Sequence, residues 1–170
     1  NRGGAGGTLG SSMVARAAPD GYTLLATAAL ATAHSLYPKL PYDTLRDFAP
    51  VIPLGQQPMV LVTAPSKGFK TAADLIAAAK AKPGELNFAS AGIGSVSHLA
   101  CSVFHSLIGI NPTVVSYRGT PHAPQDVLAG NVDFLCNQIV NIVEHAKAGS
   151  LKAYAVTGET RSAMLPNVPT

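Results

Sequence analysis

"LNFASAGIGSVSHLACSVFHSL", residues 86–107, decides the fold. It opens as an apolar, β-prone run, breaks at Gly92 and Gly94, and resumes with helical spacing. A strand that turns through glycines into a helix is the repeating unit of an α/β sheet. The same alternation extends on both sides. Upstream, residues 71–82 read as a helix, with Thr71 as its cap, Asp74 as the capping-box partner and Pro83-Gly84 as its stop. Downstream comes a strand at 113–117. A helix follows at 121–129, with Thr120 as cap, Pro121 at its first position and Gly130 beyond its end. Next are a strand at 132–136, a helix at 138–148 and a last strand at 151–157. Ile139, Ile142, Val143 and Ala146 place one apolar face on that last helix, and Gly149 closes it.

The amino-terminal third is less regular. Residues 10–18 read as a short helix ended by the "PDG" turn at 19–21. "YTLLAT", residues 22–27, reads as a strand. Residues 28–48 are irregular or briefly helical, because Pro38 and Pro41 break any long element. "APVIPL" and "MVLVTA" are β-rich runs separated by "GQQP" at 55–58, the expected lobe boundary. The order predicts a mostly parallel sheet covered by helices, with ligands at the carboxyl ends of its strands. Residues 58–156 suffice for one compact lobe of this kind, whereas 1–55 offer too few elements to close a core. The glycine-rich start at residue 1, with no strand before it, reads as the interior of a longer chain.

The chain has 170 residues, 47% hydrophobic and 12% charged, which excludes disorder. No apolar run reaches the roughly 18 residues of a membrane helix. The net charge of +3 is compatible with an anionic ligand. Lys67, Lys70, Lys80 and Lys82 spread around one helix as a solvated face rather than a nucleic-acid patch. Tryptophan is absent and aromatics are few, so no base-stacking platform is expected. Cys101 and Cys136 lie among apolar residues. Buried free thiols are the common state of such cysteines, and a disulfide between them is the alternative.

The glycine turn raises the question of chemistry. Gly92 and Gly94 admit backbone angles closed to other residues, and Ser95 or Ser97 can cap the following helix. A capped helix start presents unpaired N–H groups and a partial positive charge, so it can seat an anion with no Lys or Arg. A dinucleotide is not indicated. Ser97 stands where the third glycine is needed, and no acidic residue follows about 20 positions on. No Gly-Lys-Ser/Thr ending supports a P-loop. An unoccupied capped turn and a small-anion seat both remain open. Ser95, Ser97 and His98, with Asp133 elsewhere, suggest a hydrolase. But Ser and His side chains so close along a helix start diverge, and the turn is not a G-x-S-x-G elbow. His98 and His105 are two turns apart, about 10 Å, too far to share a metal. His34, His122 and His145 show no ligand spacing and read as surface or cap residues.

Six blocks carry a more specific signal: "RGGAGGTLG", "VARAAPDGYTLL", "LYPKLPYDTLRDFAPV", "AAAKAKPGELNFASAGIGSVSHLA", "VSYRGTPHAPQDVLAGNVDF" and "GSLKAYAVTGETRSAMLPNVPT". In this order they resemble the substrate-binding receptors of tripartite tricarboxylate transporters, the Bug family, over essentially the whole chain. The resemblance implies an α/β fold of the periplasmic-binding-protein type II, two lobes with mostly parallel sheets that close like a hinge. Residues 1–57 would form part of lobe 1, 58–156 lobe 2, and 157–170 the crossing back. The family begins with a strand and a loop ahead of the position of Asn1 and continues past Thr170, so the first lobe is expected to be incomplete.

The resemblance further implies a periplasmic receptor, not an enzyme, with no cofactor, metal or nucleic acid. Its partners would be a small carboxylate solute and the membrane components of the transporter. The apolar surface of an incomplete first lobe would favour self-association. Ligand binding carries over onto Ser90, Gly92, Gly94, Ser95, Ser97 and His98, as N–H and hydroxyl donors to one carboxylate. Tyr117 and Gly119 follow in the Tyr-basic-Gly segment, where Arg118 reads as a surface charge. Thr27 and Ala28 follow the first strand toward the cleft, although "AALATAHS" departs from the family's Asn-Pro-like pattern. Family members often carry an acidic residue near the position of Asn137. The amide cannot offer a charge to an ammonium, which argues against an amino-acid ligand. The alternatives are a hydrolase-like enzyme on the same scaffold and a non-binding structural fragment.

Overall fold

A computed structural model describes residues 4–170, so the expected glycine-rich start lies partly outside the described residues. Five strands form one sheet: β1 (Met59–Thr63), β2 (Asn87–Ser90), β3 (Thr113–Ser116), β4 (Phe134–Gln138) and β5 (Lys152–Val156), in the order β3-β2-β4-β1-β5. Six α-helices accompany them: α1 (Thr8–Ala15), α2 (Leu30–Leu36), α3 (Ala72–Ala81), α4 (Val96–Ile108), α5 (His122–Leu128) and α6 (Val143–Lys147).

Local chemistry explains the best-formed elements. The Thr71 hydroxyl accepts from Asp74 N–H at 3.2 Å, and the Asp74 carboxylate accepts from Thr71 N–H at 2.9 Å. That reciprocal pair closes the start of α3, as expected. The Ser95 hydroxyl accepts from His98 N–H and caps α4. At the other end of α4, Gly109 turns with a φ of 69°.

The sheet is buried on both faces. Val60, Val62, Ala89 and Leu135 pack on one side against Ala123 and Val127 of α5 and Ile142 and Val143 near α6. Leu61, Phe88, Phe134 and Cys136 pack on the other against Leu75 of α3 and Cys101 of α4. β1 is buried along its whole length, as the unbroken run "MVLVT" requires of a strand covered on both faces. A register irregularity between β1 and β5 lets Ala153 and Val156 face the first core while Tyr154 faces the second. The Tyr154 hydroxyl is then seated between the Thr63 hydroxyl and the Phe69 carbonyl, each 2.9 Å away.

Several expectations are corrected. The sheet is mixed: β2 pairs parallel with β3 and β4, but β1 runs antiparallel to both β4 and β5. The reason is the path of entry. The chain arrives through Pro58 at the carboxyl end of β4, so its first strand must run backwards. Residues 22–27 and 49–54 are not strands. Tyr22 and Leu54 are 93% and 83% exposed, and no neighbouring strand among the described residues offers them a ladder. The helix expected at 138–148 is broken. Gln138 ends β4, a 3₁₀ turn covers Ile139–Asn141, and Ile142 leaves helical geometry at φ −115° before α6 begins. Pro121 itself caps α5, and the Thr120 side chain does not. Cys101 and Cys136 are joined in a disulfide, with Cα atoms 6.1 Å apart, and are not free thiols. Both face the second core from adjacent elements, a proximity that sequence distance conceals. His105 is buried, 6% exposed, edge-on to Phe88 and Phe134. Lys67 precedes α3 and forms a 2.7 Å ion pair with Asp133, rather than standing free on a solvated face.

Candidate functional site

The strands β2, β3 and β4 all end at the same edge of the sheet, β1 starts there, and β5 leaves there. A cleft of about 200 Å3 opens at this edge. It is lined by Ser95, Val96 and Ser97 at the start of α4, by Asn137 and Gln138 at the end of β4, and by Ala91 and Thr120 from the intervening loops. Gly6, Thr27, Ala28 and Ala29 cover it from the amino-terminal segment. None of these residues is charged.

The glycine turn builds the floor. Ser95 N–H donates to the Gly92 carbonyl, Leu99 N–H to the Ser95 carbonyl and His98 N–H to the Ser95 hydroxyl. Val96 and Ser97 N–H have no acceptor among the described residues, so they are the orphan donors of the helix start. The Ser95 and Ser97 hydroxyls lie 3.1 Å apart beside them. Gly94 N–H donates to His98 Nδ1, which leaves that nitrogen unprotonated, and burial lowers the pKa of His98. The imidazole is therefore neutral at pH 7. Any anion held here is held by dipoles rather than by a cation.

The turn is also where the amino-terminal segment touches the sheet. The Tyr37 hydroxyl, next to α2, donates to the Ile93 carbonyl at 2.7 Å. A Cβ on Gly94, whose φ is +79°, would stand 3.1 Å from the Tyr37 ring. A Cβ on Gly6 would stand 2.7 Å from the Ile93 carbonyl oxygen. Glycine at both positions permits this close approach.

Of the residues expected at a site, Thr27, Ala28, Ser95, Ser97 and Asn137 line the cleft together. Ser90, Gly92, Gly94 and His98 form the turn behind it, where the Ser90 hydroxyl ties to both polar backbone atoms of Gly92. Tyr117 and Gly119 support from the side through Tyr117 N–H to the Ser90 carbonyl and Gly119 N–H to the Ala91 carbonyl. The Tyr117 hydroxyl is directed to Asp126 at 2.6 Å. Burial, with that bond, pushes its pKa up to about 12. Gly6, Ala29, Ala91, Val96, Thr120 and Gln138 were not anticipated. Val96 follows from its place after the capping serine, and Gln138 from its place beside Asn137. Gly6 arrives through a tertiary path that no local signal marks. Asp133, the acid a Ser–His site would need, lies at the opposite end of the sheet. It binds Lys67 Nζ and Asn87 N–H, each at 2.7 Å.

The family model for the tripartite tricarboxylate transporter family receptor matches residues 1–170. The chain belongs to this receptor family. Membership makes it a binding protein rather than an enzyme and assigns it to the periplasm, an oxidising compartment in which the Cys101–Cys136 bond persists. The receptor chain is 40% identical over 173 residues to the protein BugT of Bordetella pertussis, covering 100% of this chain and 53% of that protein. MatC from Rhodopseudomonas palustris, solved with bound malate, is 38% identical, with a TM-score of 0.90 over 98% of this chain and 57% of that one. A second R. palustris structure, with adipate, is 31% identical at a TM-score of 0.90, over 100% of this chain and 57% of that one. The chain thus spans about half the length of the relatives it matches, and its fold is of the periplasmic-binding-protein type II class.

Proposed function

We propose that the chain forms the solute-binding part of a receptor that captures a small organic carboxylate and delivers it to the membrane components of a tripartite transporter. The carrying observation is the pair of unpartnered N–H groups, Val96 and Ser97, opening into a cleft without charged residues. Two serine hydroxyls beside them complete a seat for one carboxylate, and charge-assisted bonds of this kind are strong. A cleft of about 200 Å3 falls below the roughly 300–1,000 Å3 of sites for drug-sized ligands, which suits a solute of a few carbons. The malate and adipate bound by the two R. palustris relatives are of that class.

The same reading divides the chain into part of one lobe (1–57), a second lobe (58–156) and a return crossing (157–170). Its support is that entry and exit run side by side: Met59 N–H donates to the Thr157 hydroxyl and Thr157 N–H to the Met59 carbonyl. Two adjacent crossings make a hinge, and a solute touching Thr27 and Ala28 as well as Ser95 and Ser97 would favour its closed state. Calorimetric titration with malate, adipate, citrate, benzoate and nicotinate, on this chain and on one extended at both ends, tests the reading. Saturable binding of at least one acid is expected. Silence from both chains, or turnover of a bound acid, overturns it.

A further inference from the structure

Asn137 is 2% exposed, yet it lines the cleft. Its Oδ1 accepts from Gln138 N–H at 2.8 Å and from Asn141 Nδ2 at 3.3 Å. These two donors fix the amide. Turned over, its NH2 would oppose both of them and lose both bonds. Nδ2 is left with no partner. A buried donor without an acceptor is costly and rare, and this one stands in the wall of a ligand cleft.

We propose that Asn137 Nδ2 determines solute specificity by donating to an acceptor on the second polar group of the solute. The cleft would then select a small carboxylate that carries a hydroxyl, a carbonyl oxygen or a second carboxylate at that point. It would reject one that carries an ammonium there. The proposal rests on the carboxylate reading above. An ammonium has three donors and no acceptor, so it would meet Nδ2 donor against donor. No residue lining the cleft supplies a negative charge in compensation. Gln138 can turn its amide toward either kind of group, but it too lacks a charge.

The test uses pairs of acids with equal skeletons that differ only in hydroxyl or ammonium: lactate and alanine, malate and aspartate, 2-hydroxyglutarate and glutamate. In the unaltered protein the hydroxy acid of any pair that binds is expected to be tighter by on the order of tenfold or more. In Asn137→Asp the carboxylate keeps both Oδ1 bonds and replaces the donor by a charged acceptor. The preference is expected to shrink by about tenfold or to reverse. Equal affinities within a pair in the unaltered protein overturn the proposal, whether or not the variant folds. So does an unchanged ratio in a variant with a native melting transition. Failure of every acid in the wider panel would instead remove the carboxylate reading on which the proposal rests.

Discussion

Reduction of the Cys101–Cys136 disulfide should lower the stability of the chain substantially. The bond staples α4 to β4 and closes a loop with a sequence separation of 35 residues. In the chain-entropy treatment, releasing such a loop in the unfolded state costs about 4 kcal/mol at 25 °C. With a urea dependence of about 2 kcal/mol per molar, the unfolding midpoint should fall by about 2 M. The assay is urea unfolding followed by far-ultraviolet circular dichroism, with and without a phosphine reductant. It is preceded by thiol titration of the denatured, unreduced protein, which should find no free thiol. The staple also sits beside the site: Cys136 precedes Asn137, and Cys101 lies one turn beyond the cleft-lining start of α4. Carboxylate affinity should therefore fall on reduction. Two free thiols, or coincident urea curves, would refute the reasoning.

Three further outcomes follow from particular residues. Burial holds His105 at a pKa of about 4, with repulsion from His98 adding to the effect, against about 6.5 when unfolded. Between those values the unfolded chain binds more protons, so stability is full above pH 6.5 and declines by roughly 3 kcal/mol toward pH 4. His98 has the same sign. His105→Leu should remove most of that slope in urea midpoints measured across pH 4–7, and an unchanged slope would contradict the assignment. Gly94→Ala puts an L side chain in left-handed backbone against Tyr37. It should destabilise by about 1–2 kcal/mol and weaken carboxylate binding, and wild-type affinity would count against the turn as the seat. Tyr22, Leu24, Val51, Ile52 and Leu54 form exposed apolar segments, so this chain should self-associate with concentration in sedimentation velocity, and Ile52→Ser with Leu54→Ser should suppress it. A monomer at every concentration would oppose that expectation.

The elements legible in the sequence are those whose signals are local. Thr71 and Asp74 cap α3 through their own side chains, and Ser95 with Gly109 brackets α4. The order of strand and helix from 59 to 156 follows from hydrophobic period and glycine placement. What escaped depends on partners distant in the chain. "YTLLAT" and "APVIPL" have strand composition, but a strand exists only when a neighbour completes its ladder. The backward course of β1 is set by where the chain enters the sheet, not by "MVLVT" itself. Ile139, Ile142, Val143 and Ala146 hold a helical pattern, yet the tertiary course at Ile142 breaks it into two short turns. The cysteines, 35 residues apart, are brought together only by the packing of α4 on β4. At the site, the serines and glycines announced the seat. The cover from Gly6 and Ala29 and the orphaned Nδ2 of Asn137 required coordinates.

The central claim is that a carboxylate sits on the start of α4, held by neutral donors. Nitrogen–proton correlation spectra recorded during titration with malate test it most directly, because they report the Val96 and Ser97 amides one by one. The account predicts large, saturable shifts of these two amides and of the Asn137 side-chain NH2. A second groove, about 480 Å3, lies at the far end of the sheet between Lys147, Lys152 and Leu165. Shifts confined to that groove, with Val96 and Ser97 unmoved, would contradict the account.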